Sequence, residues 1–315
     1  MTRRVLIDTD PGVDDAMAII MALASPELDV VGLTTIFGNA ATHVTTRNAL
    51  TLVDVAGRPD IPVAAGASAP IAGTYLGPVP VVHGDNGLGD AVLPTPAGSI
   101  VAEPAADFIH TVAATDPGAV TLLALGPLTN LALALDRHPE LPGLVHEVVV
   151  MGGNALVPGN ATPVAEANIN NDPEAADRVF GAPWKVTMVG LDVTHQVNMG
   201  GAAIERIAAG TSAGARLLAG AMPHYRRFYE TRNGIDGIFV HDPSTVAFLL
   251  DPDAFTTHAW PLRVETESFS RGKTWPNMGD TDDETPPAWK NRPPVHVCTA
   301  VDGPRVVDLV VERLT

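Results

Sequence analysis

Short apolar strands alternate with helical runs along most of this chain, and that alternation predicts an α/β fold: an open, mainly parallel sheet flanked by helices. Two further observations support it. No internal repeat of fixed period competes with the alternation. The polar residues able to do chemistry fall just after the strands, at the carboxyl edge where such sheets bind ligands. With 315 residues, 46% of them hydrophobic, the chain can bury the core this fold needs, and it reads as one domain over residues 1–315.

The elements follow in order. Val5 to Ile7 is a buried strand stopped by Asp10-Pro11-Gly12, and Ala16 to Leu23 is helical by length and propensity. A strand at Val30 to Ile36, a helix around Thr45 to Ala56 and a strand near Val63 continue the pattern. Later strands fall at Val120 to Leu125, Val145 to Met151 and Val186 to Val189. Helices lie near Leu128 to Leu135, Pro173 to Phe180, Ala213 to Thr231 and Pro243 to Leu250. Asp8 and Asp10, Gly38-Asn39, Gly126-Pro127 and Gly152-Gly153-Asn154 each follow a strand, so four strands discharge polar residues on one edge. From Glu267 to Pro294 the chain is rich in Pro, Asp, Asn and Thr and reads as an irregular surface excursion before a last strand, Val295 to Val301.

Composition excludes several classes of function. The formal charge is −17, with 19 Lys+Arg against 36 Asp+Glu, which argues against a nucleic-acid partner, because that affinity comes from basic side chains on phosphates. Lys185, Lys273 and Lys290 stand apart from the acidic motifs in sequence, so a neutral ligand is favoured over a phosphorylated one. Cys298 is the sole cysteine; an internal disulfide and a multi-thiolate metal site are excluded, and any metal must sit on oxygen or imidazole. The absence of a long apolar run or a signal-like start points to a cytoplasmic protein with no membrane partner.

Asp8-Thr9-Asp10-Pro11-Gly12-Val13-Asp14-Asp15 places four carboxylates at one strand-to-helix turn, where they repel unless a cation neutralises them. Helix capping is the plainer explanation for Asp14 and Asp15, at roughly 0.3–1 kcal/mol each. It accounts for one or two of the four, so the spacing favours a hard cation, Ca²⁺ or Mg²⁺, on oxygen ligands.

The run Ile7 to Ala16 resembles the signature of the inosine-uridine-preferring nucleoside hydrolases. Thr35-Ile36-Phe37-Gly38-Asn39, Val82 to Leu88, Ala124 to Asn130, Met151-Gly152-Gly153, Ala165 to Ala176 and Val240-His241-Asp242-Pro243 are similar to further blocks of that family, in its order. The resemblance implies a Rossmann-like fold and calcium-dependent hydrolysis of the N-glycosidic bond of ribonucleosides. It implies Ca²⁺ on Asp10, Asp15, the Leu125 carbonyl oxygen and Asp242, and a ribose clamp of Asp14, Asn160, Glu166 and Asn168 supported by Asn39. Asp10 is then the group that takes a proton from calcium-bound water, in an inverting displacement through an oxocarbenium-like state. The family also implies a homodimer or homotetramer.

Outside the acidic run, His241 and Asp242 could simply open a helix, with Asp as N-cap before Pro243. Beside the acidic cluster, His241 is instead the residue to protonate the departing base, since imidazole titrates near pH 6.5. His83, in a glycine-rich segment, is the next residue placed to touch the base, against the plainer reading of a solvated loop histidine. Tyr229 resembles an aromatic near the base in this family, although Tyr225 and Phe228 share its helix and core packing is the default. His43, His138 and His195 carry no motif. Ala167 stands where the family usually has a bulky aromatic, and Trp275 and Trp289 fall in a segment matching no family block.

Two other readings compete. Asp8-Thr9-Asp10 also resembles the nucleophile and acid of haloacid-dehalogenase-type phosphatases, with Gly279 to Asp283 as a late metal motif. That motif should follow a buried strand, which Lys273 to Met278 does not suggest, and phosphate calls for a nearby cation. A nucleoside- or sugar-binding protein using the same calcium would need the ribose clamp but not a water-activating Asp10 or an acid such as His241.

Overall fold

The computed structural model describes residues 2–279 and 285–315. The acidic residues Asp280 to Asp283 weighed above as a phosphatase motif lie outside them. Eleven strands are present among the described residues: β1 Arg3–Thr9, β2 Leu28–Thr35, β3 Val63–Ala65, β4 Val120–Ala124, β5 Val145–Met151, β6 Val186–Val189, β7 Asn198–Gly200, β8 Gly237–Phe239, β9 Phe255–Val264, β10 Thr274–Pro276 and β11 Pro294–Val301. Nine form one sheet in the order β10-β9-β11-β6-β5-β4-β1-β2-β3, and β7 pairs with β8. From β3 to β11 neighbours run parallel; β9 is antiparallel to β11, and β10 to β9.

The helices are α1 Val13–Ala24, α2 Thr42–Val55, α3 Pro80–His83, α4 Ala105–Thr115, α5 Thr129–Arg137, α6 Ala167–Asn171, α7 Pro173–Gly181, α8 Leu191–Thr194, α9 Gly201–Ala208, α10 Ala213–Asn233, α11 Asp242–Leu250 and α12 Gly303–Leu314. The strand residues show how they cover the sheet. Val5 and Ile7 of β1 belong to one buried cluster with α1, α2, α10, α11 and α12, while Leu6 between them belongs to another with α4, α5 and α7. β5 alternates likewise, Val149 to the first face and Val148 and Val150 to the second. The middle of each of these strands is therefore apolar at successive positions, Val5 to Ile7 in β1 and Val148 to Met151 in β5, as parallel strands buried on both faces require, and each large side chain contributes about 1.5–3 kcal/mol.

α1 is apolar on every side and is buried from Val13 to Ala22, between the sheet and α10, α11 and α12. It stops at Ser25, whose hydroxyl donates to the Met21 carbonyl, because Pro26 disfavours a helical residue before it.

Two strands fall outside the predicted pattern. β9 is ten residues long, exposed over most of its first half, and contains Pro261, so neither alternation nor a buried run marks it. β10 lies inside the predicted surface excursion and corrects it: Lys273 and Thr274 are buried, and Thr274 pairs with Val264. β10 is nonetheless a three-residue edge strand and not the buried strand a phosphatase motif would follow.

The chain turns left from β1 to β2 and β3, and right from β4 to β5 and β6, so β1 and β4 are adjacent although their connections diverge. Such a switch leaves a crevice at the carboxyl ends of the two strands. Asp8 sits beside Ala124 in the register, and the Leu125 N–H donates to the Asp8 carbonyl at 2.7 Å, which brings the residues following both strands together.

Candidate active site

At this switch point a pocket of about 270 Å³ opens, lined by Asp14, Asp242, Leu125, Glu166 and Asn168 together with Tyr225, Tyr229, His83 and His241. The acidic turn fills its floor. Asp15, in the first turn of α1, accepts the Gly12 N–H at 2.9 Å and the Thr9 hydroxyl at 2.5 Å, so the capping reading holds for this residue. The carboxylate oxygens of Asp14, Asp15 and Asp242 nevertheless converge within 4.8 Å. Asp242 is the first residue of α11, and no side chain caps that helix start, which corrects the expectation of an Asp N-cap.

Asp10 lies against this group. Its Oδ2 accepts the Asn39 N–H at 2.7 Å, while its Oδ1 is buried without a partner, as is Asp14 Oδ1. Two glycines make room for it: a Cβ on Gly38 would stand 2.0 Å from Asp10 Oδ2, and one on Gly126 2.5 Å from Oδ1. The Asn39 amide group donates to Asp15 at 3.0 Å and to the Asp10 carbonyl at 3.3 Å, so it holds the acids in place. Burial raises the pKa of Asp10, Asp14, Asp15 and Asp242, and their mutual repulsion adds to it for Asp10, Asp15 and Asp242. A hard cation on oxygen ligands fits: it neutralises the repulsion and gives the orphaned oxygens a partner. Asp8 is held differently: its Oδ1 accepts from Thr34 at 2.6 Å and Asn130 at 2.7 Å, its Oδ2 is buried without a partner, and it is not one of the three acids whose oxygens converge.

The opposite wall of the floor comes from β5 and the chain after it. Glu166 caps α6, accepting the Asn168, Ile169 and Gly153 N–H groups. Asn168 donates to the Leu125 carbonyl at 2.6 Å, and Asn160 accepts the Ala167 N–H at 3.0 Å. Ala167 lines the pocket as well.

On the remaining side a hydrogen-bonded chain runs from Thr194 to Asp14. Tyr225 donates to Asp14 Oδ2 at 2.8 Å, which spends its one proton. Tyr229, 3.2 Å from Tyr225, must then donate to it, and His241 Nε2, 2.9 Å from Tyr229, must carry a hydrogen and donate to Tyr229. His241 Nδ1 is left to accept the Thr194 hydroxyl at 2.8 Å. Burial, together with His195 and His83 nearby, pushes the His241 pKa down to about 3. The expectation of an imidazole titrating near pH 6.5 is therefore corrected: water is excluded around the ring, and at neutral pH it is uncharged.

His83 closes the same side. Its Nδ1 accepts the Val13 N–H at 3.2 Å, it is buried, and burial pushes its pKa down to about 4, so the solvated-loop reading fails. Of the predicted site residues, Asp14, Asn39, His83, Leu125, Asn160, Glu166, Asn168, Tyr229, His241 and Asp242 line one cleft, and Asp10 and Asp15 are buried beside it, each bonded to Asn39. Sequence reasoning missed Tyr225, assigned to the core by default, and Thr194; the spacing of Tyr225 and Tyr229, one helical turn on α10, was the available signal for the first. Trp275 and Trp289 line a separate surface depression with Arg263 and Thr266.

A switch-point crevice that sets buried carboxylates against a hydroxyl–imidazole chain, with no Lys or Arg among the described residues that line it, is the ligand site of an open α/β sheet protein. Comparison with known proteins specifies it: the profile of the inosine-uridine preferring nucleoside hydrolases matches residues 5–308, and the chain belongs to that family. It is 43% identical over 99% of its length to probable uridine nucleosidase 2 of Arabidopsis thaliana, covering 97% of that protein. It is 39% identical over 100% of its length to the pyrimidine-specific ribonucleoside hydrolase RihA of Salmonella gallinarum, covering 99% of it. Among solved structures, a plant nucleoside hydrolase, PpNRh1, superposes with a TM-score of 0.97 at 39% identity, with 100% of this chain and 99% of that one covered. A purine-preferring ribonucleoside hydrolase from Gardnerella vaginalis follows at 0.92 and 33%, with 99% and 98% covered. The protein is a nucleoside hydrolase, an enzyme that cleaves N-glycosidic bonds, and among its described residues no helix is long and apolar enough to cross a membrane.

Proposed function

We propose that this enzyme hydrolyses ribonucleosides with Ca²⁺ as its cation and uridine as its best substrate. The observation that carries the reading is the convergence of Asp14, Asp15 and Asp242 beside the orphaned Asp10 oxygen, at the floor of a cleft sized for a nucleoside. Asp10, Asp15, Asp242 and the Leu125 carbonyl would hold the cation. A cation held there would offset the repulsion among the acids and supply the Lewis acidity that makes a water easier to deprotonate. Asp10 takes the water's proton at Oδ1, its other oxygen being fixed by the Asn39 N–H. Asp14, Glu166, Asn168 and Asn160 fix the sugar.

The base departs toward the other side of the cleft. His241, uncharged at rest, would first take up a proton and then, as the imidazolium, give one from Nε2 by way of the Tyr229 hydroxyl to the leaving base, returning to the neutral ring, while His83 and Tyr229 contact the base itself. Uridine is favoured because uridine nucleosidases and a pyrimidine-specific hydrolase are the more similar named relatives.

Free ribose release from uridine, cytidine, inosine, adenosine, guanosine and uridine 5′-monophosphate, measured with Ca²⁺ present, tests this. Uridine should be turned over fastest and the monophosphate poorly, because no Lys or Arg among the described residues lines the cleft to receive its charge. Faster cleavage of inosine removes the base preference. Equal rates on uridine and its monophosphate remove the neutral-ligand argument, and no ribose from any nucleoside removes the reading itself.

A further inference from the structure

The loop from Asn154 to Ala165, which carries Asn160 into the cleft, is held from behind by two buried charges that the chemistry above does not use. The Lys273 ammonium donates to three carbonyl oxygens in its first limb: Asn154 at 2.7 Å, Ala155 at 3.2 Å and Val157 at 3.3 Å. The Asp192 carboxylate accepts the N–H groups of Ala155 at 2.8 Å and Leu156 at 2.7 Å. The same stretch of peptide therefore meets a cation on its carbonyls and an anion on its amides. Lys273 and Asp192 are 8% and 4% exposed. Burying two charges is tolerable only where each is hydrogen-bonded and compensated, and here peptide dipoles do this for both.

The constraint reaches the cleft through Asn154. Its side chain donates to Val157 at 2.8 Å and Val164 at 3.0 Å and accepts the Glu166 N–H at 3.2 Å, so the two limbs of the loop move together. At the tip there is no spare room: a Cβ on Gly159 would stand 2.2 Å from the Ala165 carbonyl oxygen. Asn160 and Glu166 thus inherit a position fixed by a lysine more than a hundred residues later in the chain, in the segment that sequence reading left unassigned.

We propose that Lys273 is a positioning residue for the sugar side of the cleft, acting through the backbone of residues 154–157 and Asn154 on Asn160 and Glu166. The proposal rests on the reading that those two residues contact ribose. Its physical basis is that a clamp residue displaced by about 1 Å can lose up to roughly 100-fold in efficiency with no change in the reacting groups.

The test compares Lys273→Met, Lys273→Arg, Asn160→Ala and the Lys273→Met/Asn160→Ala double variant of the calcium-loaded enzyme. The readouts are kcat and KM on uridine and backbone hydrogen exchange over residues 154–166. Lys273→Met should raise KM about 10- to 100-fold with kcat changed much less, and speed exchange in this loop but not in α4. Lys273→Arg should recover most of the loss, and the double variant should lose less than the sum of the two single losses, because the part of the Lys273 effect that runs through Asn160 is already gone in Asn160→Ala while the part that runs through Glu166 remains. Unchanged KM and exchange in Lys273→Met, or additive losses in the double variant, overturn the proposal. An Asn160→Ala enzyme with normal KM overturns the ribose-contact reading instead, and the exchange rates of Lys273→Met then decide the clamp by themselves. Should the Met variant not accumulate, Lys273→Gln, a shorter and uncharged donor, takes its place, with KM and loop exchange expected to rise in the same direction but less, and unchanged values overturning the proposal.

Discussion

On the sheet side of the cleft, four buried carboxylates stand together with oxygens of Asp10 and Asp14 unpartnered, whereas on the α10 side each polar atom from Thr194 through His241 and Tyr229 to Tyr225 has its partner. The first wall is unstable by itself and asks for a cation. The second is neutral, saturated and directional, each donor fixed by the next acceptor. On the proposed function, such unlike halves would take two tasks: charge handling at the water and sugar, and proton delivery at the base. The halves meet at Asp14, which shares the acidic cluster and ends the hydroxyl chain.

The largest effect should come from breaking the acidic wall. Removing the cation with a chelator, or substituting Asp10→Asn, is expected to lower kcat on uridine by about 10³-fold or more, because a ligand and the water's proton acceptor are lost together. Readdition of Ca²⁺ should restore the chelated wild type and not the variant. A near-normal rate for Asp10→Asn would show that the orphaned oxygen does no chemistry.

The neutral wall should respond more selectively. His241→Ala is expected to lose roughly 10²–10⁴-fold on uridine, whose base leaves badly as an anion, and little on a nitrophenyl riboside, whose phenolate needs no proton. Equal losses on both substrates would make His241 structural or a sugar contact. No loss on either would return it to a helix-entry role.

The smallest effect separates two aspartates of the same motif. Burial raises the Asp8 pKa to about 7 although two side chains donate to it. A carboxyl whose pKa is higher folded than unfolded favours folding most when protonated; that contribution is complete below the ordinary aspartate range and is lost as pH rises through about 7. In cation-free protein the thermal midpoint should therefore fall between about pH 5 and pH 8, and less steeply in Asp8→Asn. Coincident slopes would mean that Asp8 is ionised in the fold at low cost.

Much of this was legible beforehand for a simple reason. Buried parallel strands and amphipathic or apolar helices leave local patterns, so β1, β2, β4, β5 and β6 fall where alternation placed them. β9 and β10 did not, because an exposed strand with Pro261 and a three-residue edge strand have no periodicity to read. The acidic turn was legible because four carboxylates in eight residues are costly in any fold.

The sequence by itself determined the fold class, the cation chemistry and the residues that would meet, since these follow from local pattern, residue type and motif order. Only the tertiary structure decided what each group is at neutral pH and what holds it. The neutrality of His241, the partnering of Tyr225 with Asp14, the seclusion of Asp8 and the reach of Lys273 to residues 154–157 all arise from desolvation and contacts between segments far apart in the chain. No local pattern encodes those distances, because burial and hydrogen-bond partners are properties of the packed chain.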